Sequence, residues 1–162
     1  MKDSRDKSLR EHLRDLLSGG GAPAKSEDVV KDLPAKLRGV KPAGMPHSPW
    51  MLVEHMRLAQ WDILEFSRNP KHVSPAWPEG YWPSSAVLPS GSAWDNCLKK
   101  FSTDLKAMQA LVMSVKTDLF AKIPWGDGQT VCREALLMAD HNAYHVAQIV
   151  DVRRLLGAWD DE

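Results

Sequence analysis

The apolar residues between positions 94 and 119 recur in alternating steps of four and three along the chain. They are Trp94, Leu98, Phe101, Leu105, Met108, Val112, Val115 and Leu119. This spacing places them on one face of a long α-helix and is typical of helices that pack side by side in a bundle. We therefore predict a helix over residues 92–120 with an apolar seam along its whole length.

Two helical stretches precede this one near the N-terminus. The first predicted helix covers residues 4–18, carries leucines on one face and ends before three consecutive glycines. A short helical piece is predicted over residues 26–33, with Ser26 as its N-cap and acidic residues in its first turn.

The second and fourth long helices have clear start signals. Helix two is predicted to open with Ser48 as N-cap and Pro49 at the first helical position, and to run to about residue 67. Helix four is predicted to start near Thr130 and to continue to about residue 156, with Gly157 as its stop.

The predicted fold class is all-α, because no segment shows the period-two alternation of a strand. Residues 69–91, rich in proline, join helices two and three, and a connection this long is typical of a functional loop or a crossover. A crossover would make helices two and three parallel, whereas the short link over residues 121–129 makes helices three and four antiparallel. The prediction is a four-helix bundle with a long crossover between helices two and three.

Composition predicts a single domain over residues 1–162 and excludes several classes of partner. Lys plus Arg and Asp plus Glu both number 21, so the formal net charge is zero, and we expect no nucleic-acid and no membrane partner. Cys97 and Cys132 provide neither a metal-binding spacing nor a disulfide framework. The charged N-terminus and the lack of a long apolar run favour a cytoplasmic protein.

Histidines on buried helix faces give the strongest functional signal. His141 and His145 lie one helical turn apart and could bind one metal ion together. Glu134 and Gln148 share their apolar face, and polar groups there need partners because unpaired burial costs roughly 1–3 kcal/mol each. His55 lies on the apolar stripe of helix two, at a level that matches His145 if helices two and four are antiparallel.

A single histidine on an apolar face is more often a hydrogen-bonded core residue than a ligand, but three at one level favour a metal site. Glu134 could be a fourth ligand, a general base or a structural acceptor. Gln148 is interpreted as a partner that orients a ligand, and Asp62 either orients His55 or lies at the edge of the stripe. The other histidines, at positions 12, 47 and 72, are interpreted as ordinary polar residues.

The stretch from Ser48 to Arg57, followed far downstream by Glu134 and the stretch from His141 to Gln148, resembles the DinB/YfiT-like superfamily of metal-dependent hydrolases. The resemblance runs from the first helix to Gly157. It implies a bundle in up-down-down-up order, a metal ion held by His55, His141 and His145, and a homodimer. The family commonly has glycine where this chain has Ala147, which we expect to be a minor change in packing.

The leading hypothesis is therefore a metal-dependent hydrolase with a three-histidine site, an open coordination position and a small-molecule substrate. The ion would polarise a substrate oxygen or activate a water or a thiol. Glu134 is the candidate base, and Trp77, Tyr81 and Trp82 of the long loop would shape the pocket. The alternatives are a transferase for a low-molecular-weight thiol and a non-catalytic stress or regulatory protein. Imidazole ligands suit zinc, nickel and iron alike.

Overall fold

The structure, a computed structural model, describes residues 2–159; Met1 and residues 160–162 of the predicted domain lie outside it. Its α-helices are α1 (Lys2–Ser18), α2 (Ser26–Val30), α3 (Pro49–Arg68), α4 (Ala93–Met113) and α5 (Val131–Leu155). Two 3-10 turns cover Ala35–Leu37 and Glu79–Tyr81. Residues 2–159 contain no β-strand, only an isolated bridge between Lys122 and Thr130, so the all-α prediction is confirmed. No helix in this range is long and apolar enough to cross a membrane.

The two helices that carry the candidate ligands begin where their caps predict. Ser48 caps α3 by accepting a hydrogen bond from the Met51 N–H at 3.3 Å, and Pro49 occupies the first helical position. Thr130 caps α5 in the same way through the Arg133 N–H at 3.2 Å. These side chains satisfy amide groups that a helix start otherwise leaves unpaired.

The predicted third helix is wrong at its C-terminal end, because α4 stops at Met113 instead of residue 120. The buried Arg10 guanidinium donates to the carbonyl oxygens of Val112, Ser114 and Thr117 at 2.6–2.9 Å. These hydrogen bonds stabilise the non-helical backbone that follows Met113. As a result Val115 lies outside the seam and is 88% exposed.

The short helix α2 also differs from the prediction. Lys25, not Ser26, is its N-cap residue, and the helix ends at Val30. Arg153 of α5 donates to the carbonyl oxygens of Val29 and Lys31 at 2.7 and 2.9 Å. A buried arginine from another helix thus stabilises the end of α2, as Arg10 does at the end of α4.

The helices bury two apolar clusters. α3 and α1 each pack against both α4 and α5. One cluster joins α2, α3, the first half of α4 and the second half of α5, and includes Trp50 and Trp94. The other joins α1 to the second half of α4 and the first half of α5. Between the helices, Gln60 donates to the Phe101 carbonyl at 2.7 Å and accepts from Asn142 at 2.9 Å, next to the histidine pair.

Candidate metal centre

Helices α3 and α5 bring the three predicted histidines together. Their ring nitrogens form a group in which all ligand atoms lie within 4.8 Å of one another. His55 Nε2 and His141 Nε2 are 3.1 Å apart, and the His145 ring centroid lies 4.6 Å from that of His55 and 4.5 Å from that of His141. Imidazoles that share one ion through bonds of about 2.0–2.1 Å have nitrogens roughly 3–3.5 Å apart, so His55 and His141 already have the spacing of two ligands of one ion, with His145 beside them.

Two of these rings are oriented by hydrogen bonds at their other nitrogen. His55 Nδ1 lies 2.8 Å from the Tyr81 carbonyl oxygen, and His145 Nδ1 lies 2.7 Å from Gln148 Oε1. Because an oxygen acceptor requires N–H at Nδ1, each ring has its lone pair on Nε2. This is the arrangement found around metal-binding histidines, in which a hydrogen bond at the other nitrogen fixes the ring.

Burial keeps the three imidazoles neutral at pH 7. Desolvation, together with the neighbouring His145 and His55, lowers the pKa of His141 to about 4. Desolvation also lowers the pKa of His145 to about 4, although its hydrogen bond to Gln148 opposes the shift. The pKa of His55 is lowered chiefly by burial. Neutral imidazole is the form that binds a metal ion.

Aromatic rings form the walls of the site. Trp82 stacks on His55 at a centroid distance of 3.9 Å with the two planes 1° apart, and His47 stacks on Trp82 at 4.1 Å. Tyr144 contacts His145 edge-on at 4.9 Å and is 63% exposed. The imidazoles are therefore partly screened from water, with Tyr144 at the surface.

Asp62 anchors the long loop and makes no hydrogen bond to His55 among the described residues. Its carboxylate accepts from the Tyr81 hydroxyl and contacts His72 Nε2, both at 2.7 Å. Burial and the hydrogen bond to Asp62 raise the pKa of Tyr81 to about 12, so the phenol remains a donor. Because the Tyr81 carbonyl binds His55, Asp62 acts on that ring only through the loop.

Glu134 lies away from the histidine group. It is 3% exposed, its carboxylate pairs with Arg133 at 2.6 Å, and burial raises its pKa, with a smaller effect from the charge of Asp62. Glu134 precedes His141 by seven residues and Asp62 follows His55 by seven. Two turns of helix separate each acid from its histidine, a rise of roughly 10 Å.

Sequence reasoning missed the contacts of two histidines. His47 and His72 were interpreted as ordinary polar residues, but His47 lies beside the site and His72 lies against Asp62. His47 stacks on Trp82, and the His72 side chain is 6% exposed and paired with Asp62. Their contacts cross an irregular loop, where no periodicity shows which residues meet. Trp77 also differs from its two loop neighbours, because it is 73% exposed and touches Tyr81 with its ring centroid 5.4 Å away.

The histidine group falls inside a family match. The sequence profile of the DinB superfamily matches residues 21–149, more than half of the chain. The chain belongs to the DinB superfamily. The matched span begins after α1 and ends within α5, so it is shorter at both ends than the resemblance in the sequence. It contains all three histidines, Asp62 and the long loop of this DinB-superfamily protein.

No curated protein and no solved structure is significantly similar to the chain. The comparisons therefore show the family of the chain but indicate no reaction.

Proposed function

We propose that this DinB-superfamily chain is a metal-dependent hydrolase whose ion, zinc, nickel or iron(II), is held by His55, His141 and His145. The observation that supports it best is the convergence of the three rings, with the Nδ1 atoms of His55 and His145 already engaged by Tyr81 and Gln148. A divalent ion at this place would supply a Lewis acid with a position left for substrate.

The surrounding side chains prepare the site for a small substrate. Trp82 and Tyr144 present ring surfaces beside the imidazoles and limit the access of water. Glu134, whose pKa burial raises, can hold or release a proton closer to neutral pH than an exposed carboxyl can. Its distance of two turns from the histidines suits contact with a substrate that extends from the metal along α5.

The charges near the site favour hydrolysis over transfer of a low-molecular-weight thiol. Such a cofactor carries carboxylates and needs a cationic site. The groups that contact the three histidines are aromatic rings, an amide and a backbone carbonyl. Arg133, the cation beside Glu134, already pairs with that carboxylate.

We also propose that the long helices form the up-down-down-up bundle of this superfamily. The proposal is supported by the packing, in which α1 and α3 each lie against both α4 and α5. A homodimer remains a proposal that rests on family resemblance, and its test is the mass in solution.

The metal assignment is tested by elemental analysis of the purified protein and two variants. We expect His145→Ala to lose most of the bound metal, because one of three ligands is gone. His12→Ala is the matched control, since His12 lies on α1 and its Nε2 contacts only Ser8 among the described residues. Wild-type metal content in His145→Ala would refute the assignment.

Activity is tested separately on the metal-loaded wild type with a panel of ester and amide substrates, with and without an added thiol. Turnover without thiol supports the hydrolase. Turnover that requires thiol contradicts the hydrolase and favours the transferase. Full metal content with no turnover also contradicts the hydrolase and favours the non-catalytic protein.

A further inference from the structure

A large cavity in the described part of the chain lies away from the histidines. It has a volume of about 660 Å³ and lies between α2 and α4, within the range typical of small-molecule pockets. None of the three histidines lines it. Val53 and Met56 of α3 reach its floor, and helical geometry turns them roughly 100–160° away from His55. The cavity is therefore separate from the metal centre.

The cavity exists because α1 is short. Ser18, the last residue of α1, lies beside Gln109 of α4, whose side-chain amide donates to the Ser18 hydroxyl at 2.9 Å. The first half of α4 is therefore not covered by α1. The five residues of α2 fill only part of this space.

The floor of the cavity is apolar and deep. It is made by Val53, Met56, Phe101 and Ile149, none of which is more than 8% exposed. Leu98 and Leu105 of α4 form one wall, seven residues apart. A ligand on this floor would exchange water for apolar surface along roughly 10 Å of α4.

The charges at the rim are distributed unevenly. At the end near Ser18 the rim carries Lys25 and Lys106, and neither forms an ion pair within the described part of the chain. At the other end Arg38 lies over the Trp94 ring at 4.9 Å.

The acidic lining residues do not cancel the two lysines. Asp32 and Asp95 lie toward the Arg38 end, and Glu27 of α2 lies one turn before Lys31, the residue that follows this helix. The end near Ser18 is thus suited to an anion.

We propose that this cavity binds a monocarboxylate with an unbranched apolar chain of about ten carbons, the length that matches its floor. The carboxylate lies between Lys25 and Lys106, and the chain lies over Met56 and Phe101. The proposal is independent of the metal centre.

Calorimetric titration of the full-length, metal-loaded protein with decanoate and with decanol tests the proposal. We expect saturable binding of decanoate, weaker binding of decanol, and affinity that rises about fourfold per methylene from octanoate to decanoate. Lys106→Glu should weaken decanoate at least tenfold and leave decanol unchanged. Lys99→Glu makes the same charge change on α4 outside the cavity and should change neither.

Ser102→Trp places a large ring at the cavity lining and should abolish binding of both ligands, whereas Thr103→Trp, next to it and outside the lining, should not. Unchanged metal content and helical circular dichroism verify that the variants fold. Equal affinity for decanol and decanoate, absence of saturable binding, or full binding by Ser102→Trp would overturn the proposal.

Discussion

Glu134 is a buried acid whose only ion pair among the described residues is with its chain neighbour, Arg133. A carboxyl group with a raised pKa near a metal centre is a good candidate for proton transfer. Sequence periodicity placed it on the correct helix face and two turns from His141, and the structure adds that it lies near Asp62 and pairs with Arg133. From that position Glu134 is poorly placed to coordinate the metal ion directly, and its role in proton transfer can be tested.

Glu134→Gln keeps the shape of the side chain and removes its charge. For any substrate found in the hydrolase panel, we expect full metal content and a rate reduced by roughly 10²–10⁴, the usual contribution of a positioned acid or base. Steady-state kinetics and elemental analysis measure the two effects. Glu65→Gln, which makes the same change at a glutamate that pairs with Arg68 on α3, is the control. Unchanged turnover would make Glu134 a structural acceptor, and loss of metal would make it a ligand.

Asp62 connects the loop to α3 through two hydrogen bonds. In Asp62→Asn one acceptor oxygen becomes an NH2 donor, so Tyr81 or His72 can keep its contact only by accepting instead of donating. We expect the Tyr81 carbonyl to shift and the metal affinity to fall roughly 10–100-fold, the typical effect of losing an orienting partner. Competition with a chromogenic chelator measures the affinity. Asp151→Asn, exposed on α5, should have no effect, and an equally small effect of Asp62→Asn would contradict this role.

At the scale of the elements, the starts and the buried faces of the long helices could be predicted where they are set by residues within or next to the helix. Ser48 and Thr130 cap the helices that they precede, and the apolar periodicity of α3 and α5 lies within each helix. The end of α4 could not be predicted, because Arg10 lies 102 residues before the carbonyl that it binds. Contacts of this kind leave no local pattern in the sequence.

Arg10→Met tests how much the α1–α4 contact stabilises the fold. The variant keeps the aliphatic bulk and leaves three carbonyl groups without their charged donor, so we expect a loss of about 2–4 kcal/mol in the free energy of unfolding. Urea denaturation followed by circular dichroism measures it. Arg14→Met, on the exposed side of the same helix, should change stability by less than about 0.5 kcal/mol. Similar values for the two variants would contradict the capping role of Arg10.

For the molecule as a whole, the histidine group couples stability to pH. The pKa values of His141 and His145 are about 4 in the fold, below the value of about 6.5 expected in the unfolded chain. Between these values the unfolded state binds more protons, so stability is full above about pH 6.5 and is lost as pH falls toward 4. We expect the melting temperature of the metal-free protein to fall over this window.

Thermal melts in the presence of a chelator at pH 7, 5.5 and 4.5 measure this dependence. His145→Gln should reduce the slope, whereas His12→Gln, on α1, should leave it unchanged. A melting temperature that stays constant from pH 7 to 4.5, or a slope unaffected by His145→Gln, would show that these residues do not carry the effect.

The three histidines could be predicted as one site because each lies on a regular helix, whose periodicity shows which face is buried. The surroundings of the site could not. Trp82 and His47 reach it from irregular segments, His72 contacts Asp62 two turns away, and these contacts depend on how the loop over residues 69–91 folds onto α3.

The long separation between Arg10 and its partners also bears on the order in which the chain can assemble. Leu13 and Leu17 of α1 are buried against residues from the second half of α4 and from α5, about 100 residues later in the chain. At 5–20 residues per second, the ribosome takes roughly 5–20 s to make that intervening segment. During this time the surfaces of α4 and α5 on which α1 docks do not yet exist. Docking of α1 should therefore be a late event of folding that follows the packing of α4 and α5 on α3.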